Sequence, residues 1–260
     1  MTSSPVRLEL NPPFARLILN RPKRHNALDL AMWESFPPLL DRVEHDPEIK
    51  VLLISGADSR AFAAGADISE FSRVAASGRA ADYLDGMLRT TRRLSTFAKP
   101  TIAVIQGPCI GGGCSLALCC DFRFADDTAR FGVTPGRLGI TYPLEDTKRL
   151  IDAVGLGRAR DLLMTGRIID PAEALKIGMI DRVATADGLW DEVEAYGQVI
   201  AGLSQYAIRA SKSVIAEIQA GASAETETTR GLFIGAFEGE DLAEGVRAFL
   251  EKRKPLFTFS

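Results

Sequence analysis

The sequence predicts an α/β fold, and three observations carry that expectation. Short apolar runs, Val51–Ser55 and Thr101–Ile105, have the length of fully buried strands. Each leads through a loop of small residues into a segment whose apolar residues recur at helical spacing. From Ser204 to Lys254 the pattern is helical throughout. Strand–strand–helix units thus recur to about residue 190, after which helix takes over. The expected division is a core over 1–200 and a helical region over 201–260. No self-similarity between units, and no linker rich in Pro, Gly or Ser, marks a further boundary.

Taken in order, the first 20 residues read as a hairpin. It consists of Arg7–Leu10, a turn at Asn11-Pro12-Pro13, and Phe14–Asn20 with Ala15, Leu17 and Leu19 on one face. Asp29 is placed to cap a helix burying Leu30, Trp33, Phe36, Leu40 and Val43. Pro37-Pro38 inside that pattern is expected to kink or split it. Val51–Ser55 follows, then the loop from Gly56 to Ala66 and further helix carrying Tyr83, Met87, Leu88 and Leu94. Thr101–Ile105 ends in a glycine turn, with helix from about Gly113. Short strands are expected around Phe122–Ala125 and Ala129–Phe131. Helices follow at 144–154, 157–165, 171–177, 187–202, 204–219, 223–237 and 240–252.

A chain of 260 residues that is 46% hydrophobic buries a sizeable core without staples. Its 31 basic and 34 acidic residues leave a net charge of −3, which supplies no phosphate-seeking field. RNA binding through Arg21, Lys23, Arg24 and Lys252–Lys254 therefore ranks last, and no nucleic-acid partner is expected. Met1 to Pro5 lead straight into alternating residues, with no apolar signal core. The uncharged run from Pro100 to Cys120 approaches a membrane span in length but contains Pro108 and four glycines. Strand, turn and buried helix explain it better, so a cytoplasmic protein off the membrane is expected. Cys109, Cys114, Cys119 and Cys120 all fall in this run, and His25 and His45 lie far upstream. No zinc spacing results, and the cysteines read as small core residues with no metal site.

The turn Gly107-Pro108-Cys109-Ile110-Gly111-Gly112-Gly113, between strand and helix, suggests an anion or oxyanion site. Glycines admit a ligand close to the backbone, and unpaired N–H groups at a helix start favour negative charge. Better-known readings fail. A Walker loop needs Lys and Ser/Thr after its last glycine, where this chain has Cys114 and Ser115. A dinucleotide fingerprint is not spaced this way. Gly113-Cys114-Ser115-Leu116-Ala117 has the outline of a nucleophile elbow, but both histidines precede the serine. Ala61-Phe62-Ala63-Ala64-Gly65-Ala66-Asp67-Ile68 is a second small-residue loop before a helix. Two such loops are either two tight turns or two donors aimed at one oxygen, the arrangement that stabilises an enolate.

Together these segments resemble the crotonase superfamily, the enoyl-CoA hydratase/isomerase family, over nearly the whole chain. The resemblance rests on Leu19-Asn20-Arg21-Pro22 with Asn26-Ala27-Leu28, on Ala63-Ala64-Gly65-Ala66-Asp67-Ile68, and on Lys99-Pro100-Thr101-Ile102-Ala103-Val104-Ile105-Gln106-Gly107. It continues through Gly111-Gly112-Gly113-Cys114, Thr165-Gly166 and Glu251-Lys252-Arg253-Lys254-Pro255. It implies a crotonase-like spiral of ββα units with a C-terminal helical trimerisation region, in homotrimers often paired into hexamers. It also implies an acyl-CoA substrate, with coenzyme A arriving as part of that substrate and no separate cofactor. The thioester oxygen would be held by the N–H groups of Ala66 and Gly112. Substrate and CoA contacts are implied at Lys23, Arg24, Ala64, Asp67, Ile68, Gly111 and Thr134, with Phe233 and Lys252 from a neighbouring subunit. Lys252 also reads as a solvated helix end.

Two positions depart from the family. Its hydratases carry one glutamate directly after the Gly-Gly-Gly-Cys stretch and another four residues after the Phe-Gly phenylalanine. Here these positions hold Ser115 and Pro135, neither of which exchanges a proton as a carboxyl does near neutral pH. Decarboxylation of a malonyl-type thioester, which forms an enolate without removing a proton, is therefore slightly favoured. The segment Thr134-Pro135-Gly136-Arg137-Leu138-Gly139-Ile140-Thr141-Tyr142 is locally similar to the methylmalonyl-CoA decarboxylase branch, which makes Tyr142 the first candidate side chain. Glu145 and Asp146 either complement a helix start or include a relocated acid/base, Glu145 first, giving a divergent hydratase or isomerase. Arg137 is a candidate partner for a substrate carboxylate or for Glu145. A non-catalytic CoA-ester-binding homologue is the remaining reading.

Overall fold

The computed structural model describes residues 4–258, so the reading of Met1–Ser3 lies outside it. The chain opens with the hairpin β1 (Val6–Asn11) and β2 (Phe14–Leu19), paired antiparallel with Asn11 opposite Phe14. Helix α1 (Leu30–Glu44) follows, capped by Asp29, whose carboxylate accepts from Met32 N at 2.9 Å. Then come β3 (Val51–Gly56), α2 (Ile68–Ser77), α3 (Ala80–Ser95), β4 (Thr101–Ile105), β5 (Pro108–Ile110) and α4 (Gly112–Leu118). The second half holds β6 (Phe122–Asp126), β7 (Arg130–Gly132), α5 (Leu144–Thr165), β8 (Ile168–Ile169), α6 (Pro171–Lys176), β9 (Arg182–Ala184) and α7 (Leu189–Ala201). Helices α8 (Gln205–Gln219), α9 (Glu227–Glu238) and α10 (Glu240–Leu250) end the chain.

Two sheets result. The larger runs β1-β2-β3-β4-β6-β9 and is parallel after the first pair; the smaller is β5-β7-β8. Strand β3 is buried along its whole length, and Thr101 through Ile105 are likewise enclosed, as expected of parallel strands covered on both faces. One core packs Leu17, Leu19, Trp33, Phe36, Phe62, Phe97 and Phe131 beneath the helices. A second core, on the other face of the sheet, joins Phe14, Val51, Leu53, Ile102 and Phe124 to α7. All four cysteines are buried and unpaired, and burial holds the Cys120 thiol up to about 12. Among the described residues no helix is long and apolar enough to cross a membrane, and no three His, Cys, Asp or Glu side chains gather as a metal site.

Two expectations need correction, the proline split of α1 and the placing of the short strands. Pro37-Pro38 does not split α1, which runs unbroken from Leu30 to Glu44. Pro37 has no N–H for the Trp33 carbonyl, and the Thr90 hydroxyl of α3 donates to that carbonyl instead, at 2.5 Å. The helices expected at 144–154 and 157–165 are both present, joined end to end as α5 across a kink where Gly155 leaves helical geometry at φ +77°. Strand β5 lies inside the segment read as a glycine turn, and β8 and β9 were not expected. Thr90→Val, which keeps the shape and deletes the donor, is expected to cost about 1–2 kcal/mol and lower the thermal midpoint by about 3–6 °C. An unchanged midpoint in a melting experiment would show that α1 needs no such rescue.

Candidate active site

The two small-residue loops lie side by side. Ala63 N donates to Pro108 O at 3.0 Å and Ile110 N to Ala63 O at 2.9 Å, a parallel bridge that sets Ala63 against Cys109. Three residues beyond that bridge on each segment stand Ala66 and Gly112. The 63–66 segment is held on its other side by a second bridge, with Leu28 N donating to Gly65 O at 2.8 Å and Asp67 N to Leu28 O at 2.9 Å. Gly111, at φ +51°, turns the chain so that α4 starts with Gly112. Gly113 permits the close approach: a Cβ there would lie 2.5 Å from Ala63 O. Among the described residues neither the Ala66 nor the Gly112 amide donates a hydrogen bond within the fold.

Both loops open on a cavity of about 650 Å³. Trp33, Phe71, Val74, Tyr83, Leu84 and Met87 give it an apolar wall from α1, α2 and α3, and Leu138 and Ile140 line it as well. The residues shared with the sequence reading are Ala64, Ala66, Ile68, Gly111, Gly112, Thr134 and Tyr142. Pro135 lines it too, as does Ser115. Ser115 Oγ and Tyr142 Oη are 2.7 Å apart, and Tyr142 donates to Gly111 O at 3.3 Å. Burial first, then the nearby Asp146 carboxylate, push the Tyr142 phenol well above its ordinary range.

Of the two adjacent acids, the structure brings Asp146 to the cavity and not Glu145. Glu145, the acid/base candidate ranked first, takes both Nε and Nη2 of Arg92 from α3, at 2.8 and 2.5 Å, and its carboxyl is held below the usual range. Asp146 is 0% exposed and, among the described residues, is the only Asp, Glu, Lys or Arg lining the cavity. Its Oδ1 takes Arg149 Nη1 at 2.8 Å, and its Oδ2 has no partner among the described residues. Burial raises this carboxyl, opposed by the neighbouring Ser115 hydroxyl and Arg149. Arg137 packs beside Gly166 and lines no part of the cavity.

Asp67 is spent on the fold. Its carboxylate takes Arg21 Nη2 at 2.8 Å and caps α2 through Ser69, and the Ser69 hydroxyl, with Arg21, holds it at about 2. Lys23 and Arg24 are exposed on a turn next to His25, whose carbonyl accepts the Ala64 N–H at 2.9 Å. Phe233 (67% exposed) and Lys252 lie on the helical end of the chain and do not line this cavity. Sequence reasoning missed Asn26. Fully buried, it accepts from Arg21 N at 3.0 Å and donates to Ala61 O and Phe62 O at 2.8 and 3.1 Å, tying down the loop that presents Ala66.

Residues 11–259 match the enoyl-CoA hydratase/isomerase family. The chain belongs to that family. It is 36% identical over 256 residues to a crotonyl-CoA hydratase from Syntrophomonas wolfei, covering 96% of each chain. It is 34% identical over 255 residues to a short-chain-enoyl-CoA hydratase from Clostridium acetobutylicum, covering 96% of this chain and 95% of the other. A crystal structure from Hyphomonas neptunium, described as an enoyl-CoA hydratase/isomerase family protein, superposes with a TM-score of 0.95 at 43% identity, covering 98% of each chain. The crotonase-like α/β fold and a crotonase-family enzyme acting on CoA thioesters follow from these matches. In this member Ser115 and Pro135 both line the cavity beside the Ala66 and Gly112 loops.

Proposed function

We propose that this enzyme forms a thioester enolate on an acyl-CoA substrate by proton transfer at the carbon next to the carbonyl. The observation that carries the reading is the pair of uncommitted amides, Ala66 and Gly112, on adjoining loops above one apolar cavity. Two preorganised donors in a water-poor site stabilise a developing oxyanion far better than they would in water, each being worth about 10²–10³ in rate. The relatives from S. wolfei and C. acetobutylicum carry enoyl-CoA hydratase names, which supports unsaturated thioesters as the substrate class.

Proton transfer now ranks above decarboxylation. A malonyl-type substrate would bring a second carboxylate into a cavity that, among the described residues, is lined by no Lys or Arg and bordered by Asp146, and like charges at close range oppose one another. Tyr142, the group expected to orient that carboxylate, is engaged by Ser115 and Gly111 O. Exposed Lys23 and Arg24, next to the Ala64 edge of the cavity, suit the phosphates of CoA. Phe233 and Lys252 would complete the CoA path from a neighbouring subunit. Trimer formation through 201–260 is supported by Phe233, Phe237, Phe249 and Leu250, all largely exposed, and by an apolar recess of about 850 Å³ bordered by α8 and α10.

The test is parallel incubation with 3-butenoyl-CoA, crotonyl-CoA and methylmalonyl-CoA, following absorbance and CO₂. Turnover of an unsaturated thioester without CO₂ release is the expected result. Release of CO₂ from methylmalonyl-CoA alone would restore decarboxylation. Tight binding of all three with no turnover of any would identify a non-catalytic CoA-ester-binding homologue.

A further inference from the structure

We propose that Asp146, reached through the Ser115 hydroxyl, holds the proton transferred in the enolate site, and that the reaction this supports is a double-bond shift. The inference rests on the enolate reading above.

The placement of Asp146 is what needs explaining. Acidic residues in the first turn of a helix complement its N-terminus from the solvent side. Glu145 does so at the start of α5, paired with Arg92. The next residue is turned inward and fully buried at the base of the cavity, with Oδ2 unpartnered and only Oδ1 taken by Arg149. A carboxyl serving the fold alone would have both oxygens satisfied, as Asp67 has through Ser69 and Arg21. Ser115, one helical turn into α4 from Gly112, lines the same cavity as Asp146, with its hydroxyl 2.7 Å from Tyr142 Oη. Tyr142 continues the chain to Gly111 O, beside the Gly112 amide. The carboxyl, the serine hydroxyl and the tyrosine hydroxyl thus gather in the cavity onto which the two amides open.

One carboxyl decides the reaction class. Adding water to a double bond requires one group to activate water and another to deliver a proton to carbon. Moving a double bond needs one group twice. On 3-butenoyl-CoA the C2–H bond breaks as Ser115 Oγ receives that proton and passes its own to Asp146. The electron pair spreads into a dienolate whose oxygen lies on the Ala66 and Gly112 amides. The proton then returns along the same route to C4, the double bond settles between C2 and C3, and the carbonyl is restored. No water, metal or redox partner enters the balance.

The groups facing Asp146 are Arg149 and Glu145 on its own helix, Ser115 on α4 and Cys119 just past its end, and Tyr142 on the preceding loop; Arg92 acts through Glu145. Because burial raises the carboxyl, the isomerisation rate should fall with decreasing pH through one ionisation lying above the ordinary aspartate range.

The experiment measures conversion of 3-butenoyl-CoA to crotonyl-CoA by wild type, Asp146→Asn, Asp146→Glu and Ser115→Ala, with butyryl-CoA binding followed by calorimetry. Asp146→Asn is expected to lower kcat about 10²–10⁴-fold with binding changed by less than about threefold, while Asp146→Glu retains part of the rate. Ser115→Ala should lower kcat and leave binding intact. An Asp146→Asn enzyme as active as wild type overturns the proposal and leaves the enolate reading standing. A wild-type enzyme that binds butyryl-CoA but converts no unsaturated thioester overturns both. Should the Asn variant fail to fold, the wild-type pH profile decides: a rate flat from pH 4 to 9 overturns the assignment.

Discussion

Replacing Gly113 with alanine is expected to lower turnover about 10²–10³-fold, the loss that follows when one donor of a two-amide oxyanion site is misplaced. The new Cβ would lie 2.5 Å from Ala63 O and 3.1 Å from Ala63 Cβ, so the conflict is with backbone and no side-chain rotation relieves it. Ala63 is the residue through which the two loops are bonded, to Pro108 O and from Ile110 N. Pushing it away opens the bridge that sets Ala66 against Gly112. Gly112→Ala provides the contrast. Its Cβ would meet only side-chain ends, Leu28 Cδ1 at 3.1 Å and Trp33 Cζ2 at 3.4 Å, which can yield by a few tenths of an ångström. The Gly112 variant should therefore retain clearly more activity than the Gly113 variant. Steady-state kinetics on whichever unsaturated thioester is turned over fastest, with a melting curve for each protein, makes the comparison. Equal loss in the two would mean that the loop-to-loop approach is not what aligns the amides.

The elements that could be read from the sequence were those with a strong local signal. Strands β3 and β4 are continuous apolar runs bounded by loops, and Asp29 caps α1 where a helix-start residue precedes an apolar stripe. Strands β5, β8 and β9, at two or three residues, are too short to display a period, and only their pairing with β6 or β7 defines them. Helix α1 survives its two prolines through a hydroxyl 57 positions away, a partner that no window on the sequence contains. The two loops of the site were visible for the opposite reason: only small residues allow such close backbone approach, and their spacing is local. Ranking Glu145 ahead of Asp146 had no footing in the sequence, because adjacent residues on a helix point about 100° apart and the rotation of α5 is set by its packing. Arg92 then draws Glu145 outward while Asp146 turns in.

Asn26→Ala should be the most damaging single substitution outside the cavity, costing about 4 kcal/mol and lowering the thermal midpoint by about 8–16 °C. Asn26 is fully buried and sits at φ +54°, where asparagine is tolerated better than alanine. Its amide serves three main-chain groups at once: Arg21 N on one side, and Ala61 O and Phe62 O on the other. Truncation leaves all three in a protein interior without replacement partners, and losing satisfied partners there costs more than the bonds themselves contribute. The same contacts join the turn carrying Lys23 and Arg24 to the loop that presents Ala66, so the damage should reach the chemistry. Turnover per folded molecule is expected to fall by at least about tenfold, since misplacement by about 1 Å is already costly to a preorganised site. Thermal melting and active-site titration separate the two effects. A midpoint within 2 °C of wild type would refute the energetic claim. A lower midpoint with turnover per folded molecule unchanged would instead mean that the Leu28–Ala66 bridge alone holds the oxyanion loop.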